Sequence, residues 1–170
     1  MSKVKVGIIG ATGYVGVELI RLLNSHPQVE LTAIGSNSFV DKSITEVNPS
    51  VGITNDMKCI KNEDVIKECD FIFTVLPHGV SEEFVLQAVK EGKKVVDLGA
   101  DFRLKDEKLF NKWYNVSFID KNLHEQAVYG LCEHYKDEIK NAQVIANPGC
   151  YVTSISLPLM PLLKAKLIKK

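Results

Sequence analysis

The chain has 170 residues, 45% of them hydrophobic and 25% charged, enough for one soluble domain with its own core. Its 21 basic residues are balanced by 21 acidic ones. That zero net charge argues against nucleic acid or a membrane surface as partner, because neither polyanion would be steered in. No basic-then-apolar leader opens the sequence. The most apolar late stretch, 155–163, is too short to span a bilayer and carries Pro158 and Pro161, so a cytoplasmic protein is expected.

Apolar runs alternate with amphipathic ones, the pattern of a parallel sheet with helices on its faces. The first strand is expected at 4–9. The helix after it carries Val15, Leu19, Leu22 and Leu23 on one stripe and ends at Ser25-His26-Pro27, where proline cannot continue it. Further strands are expected at 30–34, 71–75, 94–98 and 144–146, with a weaker one at 58–60. Being apolar throughout, they suit a sheet covered on both sides. A second helix is expected from Ser81, placed as its N-cap, to Glu91, with Gly92 as the stop. Shorter helices are expected over 106–114 and 134–140, and a last one beginning near Cys150.

Val6-Gly7-Ile8-Ile9-Gly10-Ala11-Thr12-Gly13-Tyr14-Val15-Gly16 combines strand, tight turn and helix start. Gly10 allows the turn, Gly13 lets backbone approach a pyrophosphate, and Gly16 permits close helix–strand packing. The helix start adds unpaired N–H groups and a positive dipole end. The spacing is GxxGxxG, and the alternative is an ordinary glycine-rich turn. Its place between a buried strand and an amphipathic helix favours a dinucleotide site. At the end of the second strand an NAD site usually places a carboxylate for the ribose hydroxyl. Here Ser36, Asn37 and Ser38 stand instead, which favours NADP, although no arginine is present to clamp its phosphate.

Val144-Ile145-Ala146-Asn147-Pro148-Gly149-Cys150 is a buried strand, a turn and a helix start carrying a thiol. A cysteine in a helix's first turn has its thiolate favoured by the dipole and nearby N–H groups. Those groups, with the amide of Asn147, are placed to hold an oxyanion. The alternative is a small residue at a crowded N-cap. Cys59, Cys69 and Cys132 lack that setting and are expected to be structural. No cysteine pair or histidine stands at metal-ligand spacing, so no metal is expected. A thiol beside a nicotinamide suggests attack on an activated acyl group, followed by reduction of the thioester to an aldehyde.

Five segments then carry a resemblance: residues 10–16, Leu76-Pro77-His78-Gly79, Asp97-Leu98-Gly99-Ala100-Asp101-Phe102-Arg103-Leu104, Tyr129-Gly130-Leu131 and Asn147-Pro148-Gly149-Cys150-Tyr151. In this order they resemble the N-acetyl-gamma-glutamyl-phosphate reductase family across the whole chain. The resemblance implies a Rossmann-like, doubly wound α/β fold with a mostly parallel sheet. It implies NADP-dependent reduction of an acyl phosphate to its semialdehyde in arginine biosynthesis, with Cys150 as nucleophile. Gly10, Thr12, Gly13, Tyr14, Val15, Gly16, Ser36 and Asn37 would bind cofactor, and Pro77 and His78 would lie near it. Arg103 and Asn147 would bind substrate. A plain turn at 77–79 and a surface Arg103 paired with Asp106 or Glu107 stay open.

Three positions depart from the family's usual residues. Asn37 stands for an arginine, and Cys132 and Val152 each stand for a proline. The family's enzymes are also roughly twice as long, with a second domain that carries the acid/base histidine and the subunit interface. The resemblance therefore implies that 1–150 is the dinucleotide-binding domain and 151–170 the start of the catalytic and dimerisation domain. The second domain is then largely absent, and this segment alone would turn over poorly. The full-length enzyme would be a homo-oligomer. Two other readings remain: an aspartate-semialdehyde dehydrogenase-like enzyme, and a regulatory nucleotide-binding domain without chemistry.

Overall fold

The computed structural model describes residues 2–53 and 56–168. In chain order the elements are β1 (Val4–Ile9), α1 (Tyr14–Asn24), β2 (Val29–Gly35), α2 (Ile44–Val47), α3 (Asn62–Glu68) and β3 (Phe71–Thr74). They continue with α4 (Ser81–Lys90), β4 (Lys94–Asp97), α5 (Glu107–Tyr114), α6 (Lys121–Gln126), β5 (Val128–Tyr129), α7 (Cys132–Asn141), β6 (Val144–Ala146) and α8 (Cys150–Lys164). Six strands form one sheet in the order β2-β1-β3-β4-β6-β5, and every pair in it is parallel. The order reverses beside β1, so this is the expected Rossmann-like fold, with its crevice at the switch between β1 and β3.

Alternation along the strands sorts side chains into two cores. Val6 and Ile8 of β1 join Val17, Ile20 and Leu23 of α1 on one face, with Ile44 and Val51. Ile9 faces the other way, toward Val65 and Ile66 of α3 and Val85 and Ala88 of α4. Each buried aliphatic side chain contributes about 1.5–3 kcal/mol by the area it removes from water. Two such layers are what hold the sheet flat against its helices. A separate buried group anchors 115–126 on α4: Glu82 Oε1 accepts the Ile119 and Asp120 N–H groups at 2.8 Å each. His124 Nε2 stands 3.0 Å from the same oxygen without hydrogen-bond alignment, and the Phe118 ring stacks on it at 3.4 Å.

Register sets where the site forms. Ile9, Thr74, Asp97 and Ala146 pair across the sheet in one row. Every segment that follows one of them, including 10–16, 75–80 and 147–150, therefore emerges along one edge.

Four expectations are corrected. The strand at 58–60 does not form; Lys58 and Ile60 make only isolated bridges, to Ser43 and Gly35, before α3 begins. The sixth strand is the two-residue β5, too short to show any alternation. Ser81 is the first residue of α4 rather than its cap, and Val80 in the cap position has no acceptor to offer. On α1 the buried stripe is Gly16, Val17, Ile20 and Leu23, whereas Val15 and Leu22 are exposed. The helical period was right and its phase was one position off, because Val15 faces the crevice rather than the core. Among the described residues, no helix is long and apolar enough to cross a membrane.

Candidate active site

At the end of β1, Gly10 turns the chain with φ +81, and its N–H and that of Ala11 both donate to Gly35 O, at 3.1 and 2.9 Å. Gly16 is pressed against the Ala11 carbonyl, so the helix starts directly on the turn. Gly13 caps α1 in extended conformation with no side-chain acceptor, and no acidic residue lies in the first turn. A Cβ added at Gly13 would meet nothing within 4 Å. Free first-turn N–H groups, a positive dipole end and open space above them fit a dinucleotide pyrophosphate. Tyr14 and Val15 project from this turn into solvent. Thr12 Oγ1 lies 3.1 Å from Ser36 Oγ, which ties the turn to the end of β2. Asn37 adds its side-chain oxygen, which accepts the Asn62 N–H at 3.1 Å.

Cys150 is the first residue of α8, behind an N-cap, Gly149, that has no side chain to satisfy the helix end. The thiol is exposed. It lines a cleft of about 840 Å³ together with Val15, Leu76, Leu98, Arg103 and Asn147. Of residues 10–16 it is Val15, in the first turn of α1, that reaches this cavity, so the helix start behind the glycine turn and the thiol face the same space.

Arg103 shapes that cavity. Its Nε donates to Asn147 O at 2.8 Å and its Nη2 to Leu98 O at 2.9 Å. The guanidinium therefore bridges the chain ends beyond β4 and β6. Among the described residues it has no carboxylate partner, so the surface pairing with Asp106 or Glu107 is not found; Asp106 instead caps α5. Its remaining nitrogen, Nη1, lies against Gly149, beside Cys150. Asn147 donates its backbone N–H to Asp97 O at 2.8 Å and one side-chain hydrogen to Pro148 O at 3.2 Å. One side-chain N–H is left over for a ligand.

Pro77 and His78 sit on the exposed loop after β3 and do not line the cleft; the His78 ring leans on Tyr114 at 5.3 Å. That loop is held by Asp101, to which residue type and spacing alone give no role. Asp101 is buried and accepts the Gly79 N–H at 2.7 Å and the Ser81 N–H at 3.0 Å. It is the cap that Ser81 was expected to be, supplied from the next loop along the sheet edge. Beside it Asp97 is wholly buried, which pushes its carboxyl up, against the hydrogen bond from Thr74 Oγ1 at 2.7 Å that pulls it down. Replacing Asp101 with alanine strands the buried Ser81 N–H and frees the Gly79 N–H of an exposed loop, at a cost of about 1–2 kcal/mol. The expected readout is a lower urea midpoint with an unchanged slope.

Cys132 departs from the expectation that it is structural. It is exposed, opens α7 as Cys150 opens α8, and lines the same cleft. Cys59 and Cys69 are buried as expected. Burial pushes the Cys59 thiol up and carries that of Cys69 to about 11, from an ordinary 9.0. Alkylation of the native protein near neutral pH is therefore expected at Cys132 and Cys150 and not at Cys59 or Cys69. Mass spectrometry of the labelled peptides checks this; early modification of Cys69 would contradict the packing described. Of the histidines, none among the described residues lines the cleft.

The semialdehyde dehydrogenase NAD-binding domain, as a sequence family, matches residues 5–142. The chain belongs to that family. Among curated relatives it is 51% identical over 166 residues to the N-acetyl-gamma-glutamyl-phosphate reductase of Clostridium beijerinckii. It is 48% identical to the protein of the same name from Ruthia magnifica. These alignments cover 98% and 97% of the chain but 48% and 49% of the relatives, so it spans about half their length. Among solved structures, aspartate semialdehyde dehydrogenase with NADP from Candida albicans superposes with TM-score 0.66 at 22% identity. A second aspartate semialdehyde dehydrogenase, from Vibrio cholerae, gives 0.71 at 19%. Each covers 96% of this chain, and 48% and 43% of the solved chains. At such identities these two establish the fold of the NAD-binding domain alone.

Proposed function

We propose that this NAD-binding domain serves an NADP-dependent reductase of N-acetyl-gamma-glutamyl phosphate, acting in arginine biosynthesis in the cytoplasm. The observation that carries the reading is the single cleft in which Val15 of the glycine turn, Arg103 and an exposed Cys150 meet. Relatives at 44–51% identity bearing that enzyme's name support the choice of acyl group.

In this reading the cofactor lies on Gly10, Thr12, Gly13, Tyr14, Val15 and Gly16, with Ser36 and Asn37 at its adenosine end. Pro77 and His78 flank it from their loop. When bound, it supplies a hydride to an acyl carbon held at Cys150. The protein's own residues do the rest. The Cys150 thiolate attacks the acyl carbon, the carbon–sulfur bond forms, and inorganic phosphate leaves with the electrons of the broken carbon–oxygen bond. Arg103 Nη1 is the donor nearest the turn for that phosphate. The free N–H of Asn147 and the first-turn N–H groups of α8 take up the negative charge on the carbonyl oxygen. After reduction the thiolate leaves and the semialdehyde departs.

The acid/base histidine and the subunit interface belong, by the resemblance, to the second half of the family's enzymes. Residues 1–150 would then be the cofactor domain and 151–170 the entry to the second. Helix α8 supports this arrangement, since it has no buried residue and leaves Tyr151 and Ile155 exposed. Further protein covering it fits the expected homo-oligomer. The 170-residue chain by itself is expected to bind nucleotide and turn over poorly. The decisive assay supplies the intact enzyme with each of two semialdehydes, N-acetylglutamate semialdehyde and aspartate semialdehyde, plus phosphate and NADP, and follows nicotinamide absorbance. Preference for the aspartyl compound would shift the reading to an aspartate-semialdehyde dehydrogenase. No turnover with either would leave the regulatory domain.

A further inference from the structure

We infer that Lys61 is the cation that recognises the 2′-phosphate of NADP in this chain; the inference rests on the NADP reading above. A phosphate at the end of β2 needs a positive partner, and Ser36-Asn37-Ser38 offers none. The strand end is not alone, however. The Ser36 N–H donates to Ile60 O and the Ile60 N–H to Ile34 O, each at 2.9 Å. Two residues beyond Ile60, the Asn62 N–H donates to the Asn37 side chain at 3.1 Å. Segment 60–62 is thus pinned along Ser36 and Asn37 on both sides of Lys61. The lysine's backbone is fixed there while its side chain stays exposed.

That side chain lines a hollow of about 510 Å³ with Asn37, Val40, Glu63 and Asp64, and it is the single cation among those residues. The hollow is also held in fixed relation to the pyrophosphate turn. Asn62, itself buried, accepts the Gly10 N–H on its Oδ1 at 3.3 Å. Thr12 and Ser36 join the same two segments through their hydroxyls. A ribose spanning from the glycine turn to the β2 end therefore brings its 2′ substituent to Ser36, Asn37 and Lys61. The carboxylates set a limit on the attraction. Asp64 is engaged by Lys67 Nζ at 3.0 Å, but Glu63 has no ion-pair partner among the described residues and opposes a phosphate. A lysine is a single point charge on a flexible stem, not a bidentate fork, so a moderate preference is expected.

The test is a fluorescence titration of the intact protein and its Lys61→Ala and Lys61→Arg variants with NADPH and NADH. Lys61→Ala is expected to weaken NADPH about tenfold while moving NADH less than about twofold. Lys61→Arg is expected to restore NADPH binding, and the NADPH affinity of the unmodified protein should fall more steeply with salt than that of Lys61→Ala. If the unmodified protein prefers NADPH and Lys61→Ala keeps the same ratio, the Lys61 assignment is overturned and the NADP reading stands. Equal weakening of both cofactors also overturns it, since the lysine would then act on the fold or on the shared part of the nucleotide. If the unmodified protein binds NADH as tightly as NADPH, the NADP reading itself fails, and the role of Lys61 with it.

Discussion

Cys150→Ser in the intact enzyme is expected to lower turnover by roughly a thousandfold or more while leaving NADPH affinity and thermal stability unchanged. A serine hydroxyl keeps the size of the thiol but is un-ionised near neutrality, so the first bond to the acyl carbon is not made. The side chain is exposed and touches no core, so the fold has nothing to lose. The informative companion is Cys132→Ser, because Cys132 opens the neighbouring helix in the same cleft. It is expected to retain activity. Steady-state rates for the two variants, with melting temperatures measured alongside, separate nucleophile from bystander. Should Cys150→Ser work as well as Cys132→Ser, the chemistry assigned to the cleft is wrong.

The three glycines of the cofactor turn are expected to fail in two different ways. Gly10→Ala forces a side chain to adopt φ +81 and drives its Cβ onto the Val75 carbonyl oxygen. Backbone strain of about 1–2 kcal/mol and a comparable overpacking cost give a loss of roughly 3 kcal/mol, a large share of a domain's stability. Gly16→Ala meets the Ala11 backbone, which cannot yield without lifting α1 from the turn, and a loss of similar size is expected. Gly13→Ala should behave otherwise. Its φ of −77 suits alanine and the added carbon meets nothing within 4 Å, so stability should hold within about 0.5 kcal/mol. The same methyl projects where the pyrophosphate would lie, so nucleotide binding should weaken sharply. Urea denaturation paired with cofactor titration reads both quantities. A destabilised Gly13→Ala that still binds normally would invert the roles assigned here.

Much of this fold was legible because local and global signals agree. β1, the glycine turn and α1 are consecutive in sequence and consecutive in space, so periodicity and turn chemistry described them nearly to the residue. The same holds for β6, the Pro-Gly turn and Cys150. What escaped was whatever depends on partners far along the chain. β5 has two residues and is a strand only because β6 lies beside it. Ser81 looked like a cap by residue type, but Asp101, 20 residues later, does the capping because the sheet edge brings it there. Cys132 looked structural until β5 and β6 set its helix start beside that of Cys150. Asn62 and Lys61 had only one faint signal, a polar pair ahead of a short amphipathic run. Their importance comes from hydrogen bonds to Asn37 and Gly10 that no spacing reveals.

The grip of Arg103 on Leu98 O and Asn147 O has a consequence for how this position can drift over generations. Arginine and lysine are exchanged readily wherever only a positive charge is asked for. Here two carbonyls, at 2.8 and 2.9 Å, are met by two different nitrogens of one rigid plane, with a third left facing the thiol's turn. A lysine ammonium could satisfy one carbonyl or the ligand, and the chain ends beyond β4 and β6 would lose their common brace. Conservative replacement is therefore closed to this site: the geometry of a fork, more than its charge, is what selection would have to keep.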